Sequence, residues 1–327
     1  MPLISVIIPA FNSEKTIKKT IESVLQQTFT DFEVIIINDG SSDSTLEIVQ
    51  KINDSRITVY SFDNAGANVS RNRGLYYAKG EFVSFLDADD MWSLDKLESQ
   101  LKLLQIHPES SVAYSWTNYI DDKSQFLRRG SYIVATGNVY PNILLVNFLE
   151  NGSNPLIRKQ ALNVIGGFDE SLGACQDWDI YLRLATNYQF VCVSSPQILY
   201  RVTPSSLSSN VMQLENACLT VIEKAFNQAP SYLQYLKRHS LSNIYKYLLY
   251  KALEGTPKRS KTIIAAKFLC KVISYDPLLI IKASYWKAWL KIIVTFIFTA
   301  NQAEKLLGKF PRISNITTIL GSLKLEI

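Results

Sequence analysis

Four short apolar runs, each followed by polar residues, do most to limit how this chain can fold. Ile4–Ile8 stops at Pro9, and Val34–Ile37 stops at Asn38-Asp39-Gly40. Ile57–Phe62 gives way to Asn64, and Phe82–Leu86 stops at Asp87. Amphipathic stretches separate these runs. Thr16–Gln27 sets Ile17, Ile21, Val24 and Leu25 on one face, and Ser44 with Glu47 reads as a capping box that opens the next helix. Alternation of this kind predicts a mostly parallel sheet covered by helices. Such sheets meet ligands beyond the carboxyl ends of their strands. Asn12, Asp39, Asn64 and Asp87 each follow one run, so four polar clusters are expected on one rim.

Residues 131–210 read as a mixed region with short strands and one clear helix. That helix starts near Asp177 and carries Trp178, Tyr181, Leu182 and Ala185 on one face. From Met212 the pattern is helical to the end, with Pro204–Ser209 as the connector. The expected division is therefore 1–210 and 211–327. Charge divides in a similar way. Residues 228–327 hold 16 Lys/Arg against 4 Asp/Glu, whereas the rest holds 18 against 25. A basic segment of this kind wants an anionic neighbour or simple solvation. The start of the sequence has neither a basic n-region nor a signal-length apolar segment, which predicts a cytoplasmic protein. Cys175, Cys192, Cys218 and Cys270 form no CxxC pair and read as reduced thiols.

The chemistry is concentrated in Leu86-Asp87-Ala88-Asp89-Asp90. Residues two apart in an extended backbone point the same way, so Asp87 and Asp89 present two carboxylates to one side. Hard oxygen ligands suit Mg²⁺ or Mn²⁺, which complete their shell with phosphate oxygens and water. A cation there would stabilise the charge that grows on a departing diphosphate. The competing reading is an acidic loop that caps the next helix.

In these residues the chain resembles the inverting family 2 glycosyltransferases of the GT-A fold. The resemblance covers roughly residues 1–205. It rests on Val6-Ile7-Ile8-Pro9-Ala10-Phe11-Asn12, on Ile37-Asn38-Asp39-Gly40-Ser41-Ser42-Asp43, on Asn64-Ala65-Gly66 through Ser70-Arg71-Asn72-Arg73-Gly74, on Asp87-Ala88-Asp89, and on Gly167-Phe168-Asp169 with Gln176-Asp177-Trp178-Asp179. It implies a GT-A α/β fold with a helical C-terminal extension. It also implies hexosyl transfer from a nucleotide-diphosphate sugar to an acceptor hydroxyl, in polysaccharide or glycoconjugate synthesis. The implied partners are the donor and a carbohydrate or lipid-linked acceptor, with no nucleic acid.

The resemblance also implies roles. Pro9, Ala10 and Asn12 would line the nucleoside pocket with Glu14 nearby, and Asp39 would accept a hydrogen bond from the base. Arg71 would reach the nucleotide with Asn72 beside it. Asp87, next to Ala88, would bind the ribose or the metal, and Asp89 the metal. Asp177 would be the base that takes the acceptor's proton, kept ionised by the helix dipole. Each has a structural rival: Asp39 as a turn residue, Arg71 as a solvated helix charge, Asp177 as an N-cap. Asp179, four residues before Arg183, is expected to pair with it. Two positions depart from the family. Gln176 stands where Glu is usual, and no His follows Tyr200-Arg201, where Val202-Thr203-Pro204 stands instead. Trp92 and Trp178 could stack on a sugar or pack in the core. Specificity is expected between Asn118 and Asn154 and in loops around Asn154 and Gly173.

Residues 277–300 are long and apolar, but Lys282, Lys287 and Lys291 interrupt them. A membrane span needs about 20 nearly uncharged residues. Three readings stay open: a helix in the interface of an anionic inner leaflet, a helix packed on the catalytic domain or a second copy, and a true span. Two other functions compete with the glycosyl-transfer reading, a nucleotidyltransferase and a nucleotide-sugar-binding protein without chemistry. The first wants a Gly-rich, basic loop after strand one, where Pro9-Ala10-Phe11-Asn12 stands. The missing G-x-G-x-x-G also argues against a dinucleotide oxidoreductase.

Overall fold

The computed structural model describes residues 1–202, 210–255, 259–310 and 314–323. The Pro204–Ser209 connector lies outside them. Contacts divide the chain into two compact units, Met1–Ile143 with Asn147–Pro204, and Leu144–Val146 with Ser205–Ile327.

The first unit is a sheet with helices on both faces. Its first half runs β1 (Ile4–Ala10), α1 (Ile17–Leu25), β2 (Phe32–Asp39), α2 (Thr45–Gln50), β3 (Ile57–Phe62), α3 (Ala67–Tyr77) and β4 (Phe82–Phe85). The four strands are parallel, in the order β3-β2-β1-β4. The chain steps outward from β1 to β3, then returns to the other side of β1 with β4. The crevice at this reversal is where such sheets hold ligands. Pro9 does not end the first strand: Pro9 and Ala10 pair with Ile37 and Asn38, and β2 runs on to Asp39 because Asn38 and Asp39 still face Ser61 and Phe62.

The second half adds β5 (Met91–Trp92), α4 (Lys96–Ile106), β6 (Ser110–Ile120), β7 (Phe126–Arg129), α5 (Tyr140–Leu145), β8 (Leu156–Arg158), α6 (Lys159–Ile165), α7 (Gln176–Ala185) and β9 (Gln189–Arg201). Strand β8 is antiparallel to both β4 and β6, and β6 is parallel to β9. The short β5 and β7 pair antiparallel with β9 and β6. The sheet is thus mixed, with a parallel half and a woven half.

Both faces of the parallel half are covered, which explains its unbroken apolar runs. Ile4, Val6 and Ile8 join Ile17, Ile21 and Val24 of α1 in one core. Ile7 faces the other way, against α3. There Gly74 sits so close that a Cβ would lie 2.3 Å from Ile7 Cγ2.

The second unit is helical among its described residues: α8 (Val211–Gln228), α9 (Leu236–Leu253), α10 (Arg259–Tyr275), α11 (Ala283–Ile297) and α12 (Ala300–Lys309), with 3-10 turns at Ser231–Leu233, Pro277–Ile281 and Thr317–Ser322. Its core joins Tyr245, Leu248 and Leu249 of α9 with Ala265, Phe268 and Leu269 of α10, all buried.

The α3–β1 approach predicts that Gly74→Ala overpacks the interface and destabilises the chain by about 1–3 kcal/mol. Urea unfolding should show a lower midpoint with an unchanged slope.

Candidate active site

The ends of β1 and β2 are joined by side chains that bind backbone across the gap. Asn12, held at φ 46°, donates its N–H to Ser41 Oγ (3.1 Å) and accepts from Ser42 N–H through Oδ1 (2.9 Å). Ser13 N–H donates to Thr45 Oγ1 (2.7 Å), and Glu14 Oε2 accepts from Ser44 N–H (3.1 Å). Pro9 and buried Ala10 lead into this double turn. The expected Ser44–Glu47 capping box does not form. The Ser44 N–H that Glu47 would serve is taken by Glu14, and Asp43 Oδ1 accepts the Thr45 N–H instead (3.0 Å).

Asp39 is buried at the end of β2. Its two oxygens accept from Ala65 N–H (3.0 Å) and Gly66 N–H (2.8 Å), and Arg73 Nη1 lies 3.3 Å from Oδ1. These bonds fix the loop entering α3, where Gly66 has φ 94°, a conformation glycine adopts without penalty. Arg73 also lies over the Phe62 ring (4.4 Å).

Arg71, only 3% exposed, donates from Nη2 to Asp87 Oδ1 (2.5 Å) and from Nη1 to Asn68 Oδ1 (3.3 Å). It is therefore no solvated helix charge. Asn72, expected beside it on the nucleotide, serves a different loop. Its amide donates to Phe168 O (2.9 Å) and Glu170 Oε1 (2.8 Å) and accepts from Phe168 N–H (2.8 Å). Gly167, at φ 71°, leaves room for it, since a Cβ there would lie 2.7 Å from Asn72 Oδ1.

The acidic run is held residue by residue. Asp87 N–H donates to Ser153 Oγ (3.0 Å), and Ser153 Oγ donates to Asp90 Oδ2 (2.6 Å). Arg201 N–H donates to Asp90 Oδ1 (2.9 Å), and Arg201 Nε to Asp89 O (2.8 Å). Thr20 Oγ1 donates to Ala88 O (3.0 Å) and Asp90 O (2.8 Å). Burial, and then the Asp87 charge, push the Asp89 carboxyl up to about 6. Asp90 is raised well above the usual range by burial and by the charges of Asp89 and Asp87. No group of three His, Cys, Asp or Glu residues suited to a metal occurs among the described residues.

Asp177 lies in the first turn of α7, after Cys175 at φ 57°. Its Oδ2 accepts from Asn147 Nδ2 (3.0 Å). Burial raises its carboxyl, while the Trp178 N–H, the Arg71 charge and Asn147 pull it down and Asp87 adds to the rise. Burial therefore works against the ionised form that the helix terminus favours. Asp177 is tied to the Arg71–Asp87 pair through one loop, since Asn147 binds Asp177 and Ser153 binds the Asp87 backbone. Gly152 borders that pair, since a Cβ there would lie 3.8 Å from Arg71 Nη2 and 4.0 Å from Asp87 Oδ2.

Sequence reasoning missed the loop that ties these parts together. Asn147 holds Asp177 and accepts the Glu150 N–H (3.3 Å), Asn151 O accepts from Tyr181 OH (2.8 Å), and Ser153 holds Asp87 and Asp90. Asn154 is buried and pairs with Ser115 N–H (2.8 Å) and Ser115 O (2.8 Å), so its side chain braces the loop against β6. A stretch with three Asn and a Ser in eight residues was the available signal. Trp92 and Trp178 are both buried, donating to Ser153 O (2.8 Å) and Ile143 O (2.8 Å), which makes them packing residues. Asp179 pairs with Arg183 as expected (2.7 Å).

Known proteins bear on this geometry. A family model described as Glycosyltransferase like family 2 matches residues 5–252. The chain is 32% identical over 219 residues to the Escherichia coli UDP-Glc:alpha-D-GlcNAc-diphosphoundecaprenol beta-1,3-glucosyltransferase WfgD, covering 64% of this chain and 80% of that protein. It is 40% identical over 124 residues to WfaP of Escherichia coli, which is named for the same activity, but this match covers 38% of this chain and 48% of that protein. The chain likewise spans only 47% of the putative teichuronic acid biosynthesis glycosyltransferase TuaG of Bacillus subtilis, to which it is 45% identical over 121 residues. Among solved structures, the mannosyltransferase PcManGT of Pyrobaculum calidifontis, in complex with GDP-Man and Mn2+, superposes with a TM-score of 0.59 at 18% identity, over 95% of this chain and 88% of that one. That likeness supports the GT-A fold. By its family match and its 32% identity to WfgD, the chain belongs to the family 2 glycosyltransferases.

Proposed function

We propose that the first unit transfers a sugar from a nucleotide-diphosphate sugar to an acceptor hydroxyl with inversion at the anomeric carbon. The observation that carries this reading is that one loop binds both Asp177, through Asn147, and Asp87, through Ser153, while Arg71 pairs with that same Asp87 beside Asp89. The Asn12–Glu14 and Ser41–Thr45 turns form the wall for the nucleoside, with Pro9 and Ala10 at its base. Asp39 keeps acceptor capacity beyond its three contacts, since a carboxylate offers about four lone-pair sites. Arg71 orients the Asp87 carboxylate and faces the diphosphate with its positive charge. Asn72 acts from behind, by fixing the loop before α7.

Asp87 and Asp89 would hold Mn²⁺ or Mg²⁺, which when bound stabilises the negative charge of the leaving diphosphate. The residues fit such an ion. Both supply oxygen only, and Asp89 is raised by burial and then by the neighbouring Asp87 charge, a repulsion that a cation relieves. With no histidine after Tyr200-Arg201, water and donor phosphates would complete the shell. Asp177 takes the proton from the acceptor hydroxyl as its oxygen attacks the anomeric carbon. Asn147 keeps that carboxylate aimed, and Gln176 leaves Asp177 without a second acid at its side.

The names of WfgD and WfaP suggest a lipid-linked acceptor, which would place the work at the inner face of the cytoplasmic membrane. No helix among the described residues is long and apolar enough to cross one.

The direct test is donor binding. A nucleotide-diphosphate sugar at about 100 times its Kd, with Mn²⁺, should stabilise the fold by about 2.7 kcal/mol. Thermal melts with UDP- and GDP-sugars should then show a rise for one nucleotide, and no rise with any donor would end the proposal. Asp177→Asn should lower kcat by about 10²–10⁴-fold while leaving that donor-dependent rise in place. Asp89→Ala should remove the Mn²⁺-dependent part of the rise. Because burial raises Asp177, the acid limb of the kcat profile should sit above the ordinary carboxylate range. Asn147 donates to the charged form, so Asn147→Ala should move that limb to still higher pH, with activity lost earlier as pH falls. An unmoved profile would deny Asn147 this role.

A further inference from the structure

The second unit leaves a line of large apolar side chains uncovered along α11. Tyr285, Ala288, Ile292 and Thr295 are buried along one side of the helix, with Val294 buried on its flank. On the opposite side Trp286 is 61% exposed, Leu290 41%, Ile293 47% and Ile297 67%. Their spacing of four, three and four residues puts all four on one stripe. The 3-10 turn before the helix extends the line with Leu278 and Ile281, both more than 70% exposed. A continuous apolar surface of this kind marks an interaction face, not a scatter of single side chains.

The charges nearby say what covers it. Between Asp276 and Glu304 there is no acidic residue, whereas Lys282, Lys287 and Lys291 are all present. Lys282 is exposed just ahead of the helix, and Lys287 is half-exposed, turned about 100° from Trp286 on the flank of the stripe. An anionic bilayer answers both the stripe and the lysines, with hydrocarbon for the first and phosphate for the second. At 15 residues α11 is about 22 Å long, too short to span the hydrocarbon core but suited to lying in its surface plane. Lysine stems at the flank can pass along the apolar groups and put their ammonium heads among phosphates. Trp286 brings the amphipathic ring favoured at that depth.

We propose that the face made by Leu278, Ile281, Trp286, Leu290, Ile293 and Ile297 is an in-plane docking surface for an anionic lipid bilayer. It is independent of the glycosyl-transfer reading, because binding can be measured with no donor or acceptor present.

The test is co-sedimentation of the full chain with vesicles of phosphatidylcholine alone and of phosphatidylcholine mixed with phosphatidylglycerol. The chain should sediment with the mixed vesicles and far less with the neutral ones. Lys282→Gln with Lys287→Gln should weaken the first association about thirty-fold. Trp286→Ser, Leu290→Ser and Ile293→Ser together should abolish it, and thermal melts of this variant should match the parent because all three sites are exposed. Equal sedimentation of parent and serine variant would overturn the proposal, as would no binding to either vesicle. So would a concentration-dependent dimer in sedimentation velocity that the serine variant loses, since the stripe would then belong to a second copy.

Discussion

Three aspartates in four residues repel one another, and the carboxyl edge of this sheet depends on how that repulsion is answered. Asp87, Asp89 and Asp90 do not share one counter-charge. Asp87 meets the guanidinium of Arg71, Asp90 meets a hydroxyl and a backbone N–H, and the Asp89 backbone is held by Arg201. Each partner comes from a different part of the fold: Arg71 from α3, Ser153 from the loop before β8, Arg201 from the end of β9. Losing one partner of a buried charge costs more than the pair contributes, because the other is left without compensation. The acidic run is therefore possible only where these three elements converge.

The loop from Asn147 to Asn154 is what makes them converge. It carries no charge except Glu150, yet its side chains and carbonyls reach Asp177, Tyr181, Asp87, Asp90 and Ser115. Buried amides of this sort are stabilising only when satisfied, and satisfied they admit one arrangement. Glu150 shows the strain such a loop carries. It sits at φ 73°, and burial pushes its carboxyl up to about 7 against the pull of the Ser131 N–H and Arg128. A residue held in that backbone region persists because its surroundings over-determine it.

The helical unit follows another logic. Its core is made by α9 and α10, and buried Glu215 beside it meets half-exposed Lys267 at 3.1 Å. The outer side of α11 breaks this pattern with apolar groups left in water. That surface costs solubility in isolation and becomes favourable only against another apolar phase.

The parallel half of the sheet, its helices and the polar residues at its rim were legible in the sequence. Apolar periodicity reports which side of an element faces inward, and that is a local property. The five motifs likewise carried the family, because each lies within a few consecutive residues. What stayed hidden was pairing over distance. Nothing local predicts that β8 inserts antiparallel between β4 and β6, that Arg201 holds Asp90 across 111 positions, or that Glu14 displaces Glu47 from the Ser44 N–H. Helix α11 makes the same point. Its sequence is apolar almost all the way round, with Tyr285, Trp286, Ala288, Trp289, Leu290, Ile292 and Ile293 in nine residues. Composition determined that it would bury a face, but only packing against its neighbours decided which face, because burial is settled by what lies opposite and not by the residue itself.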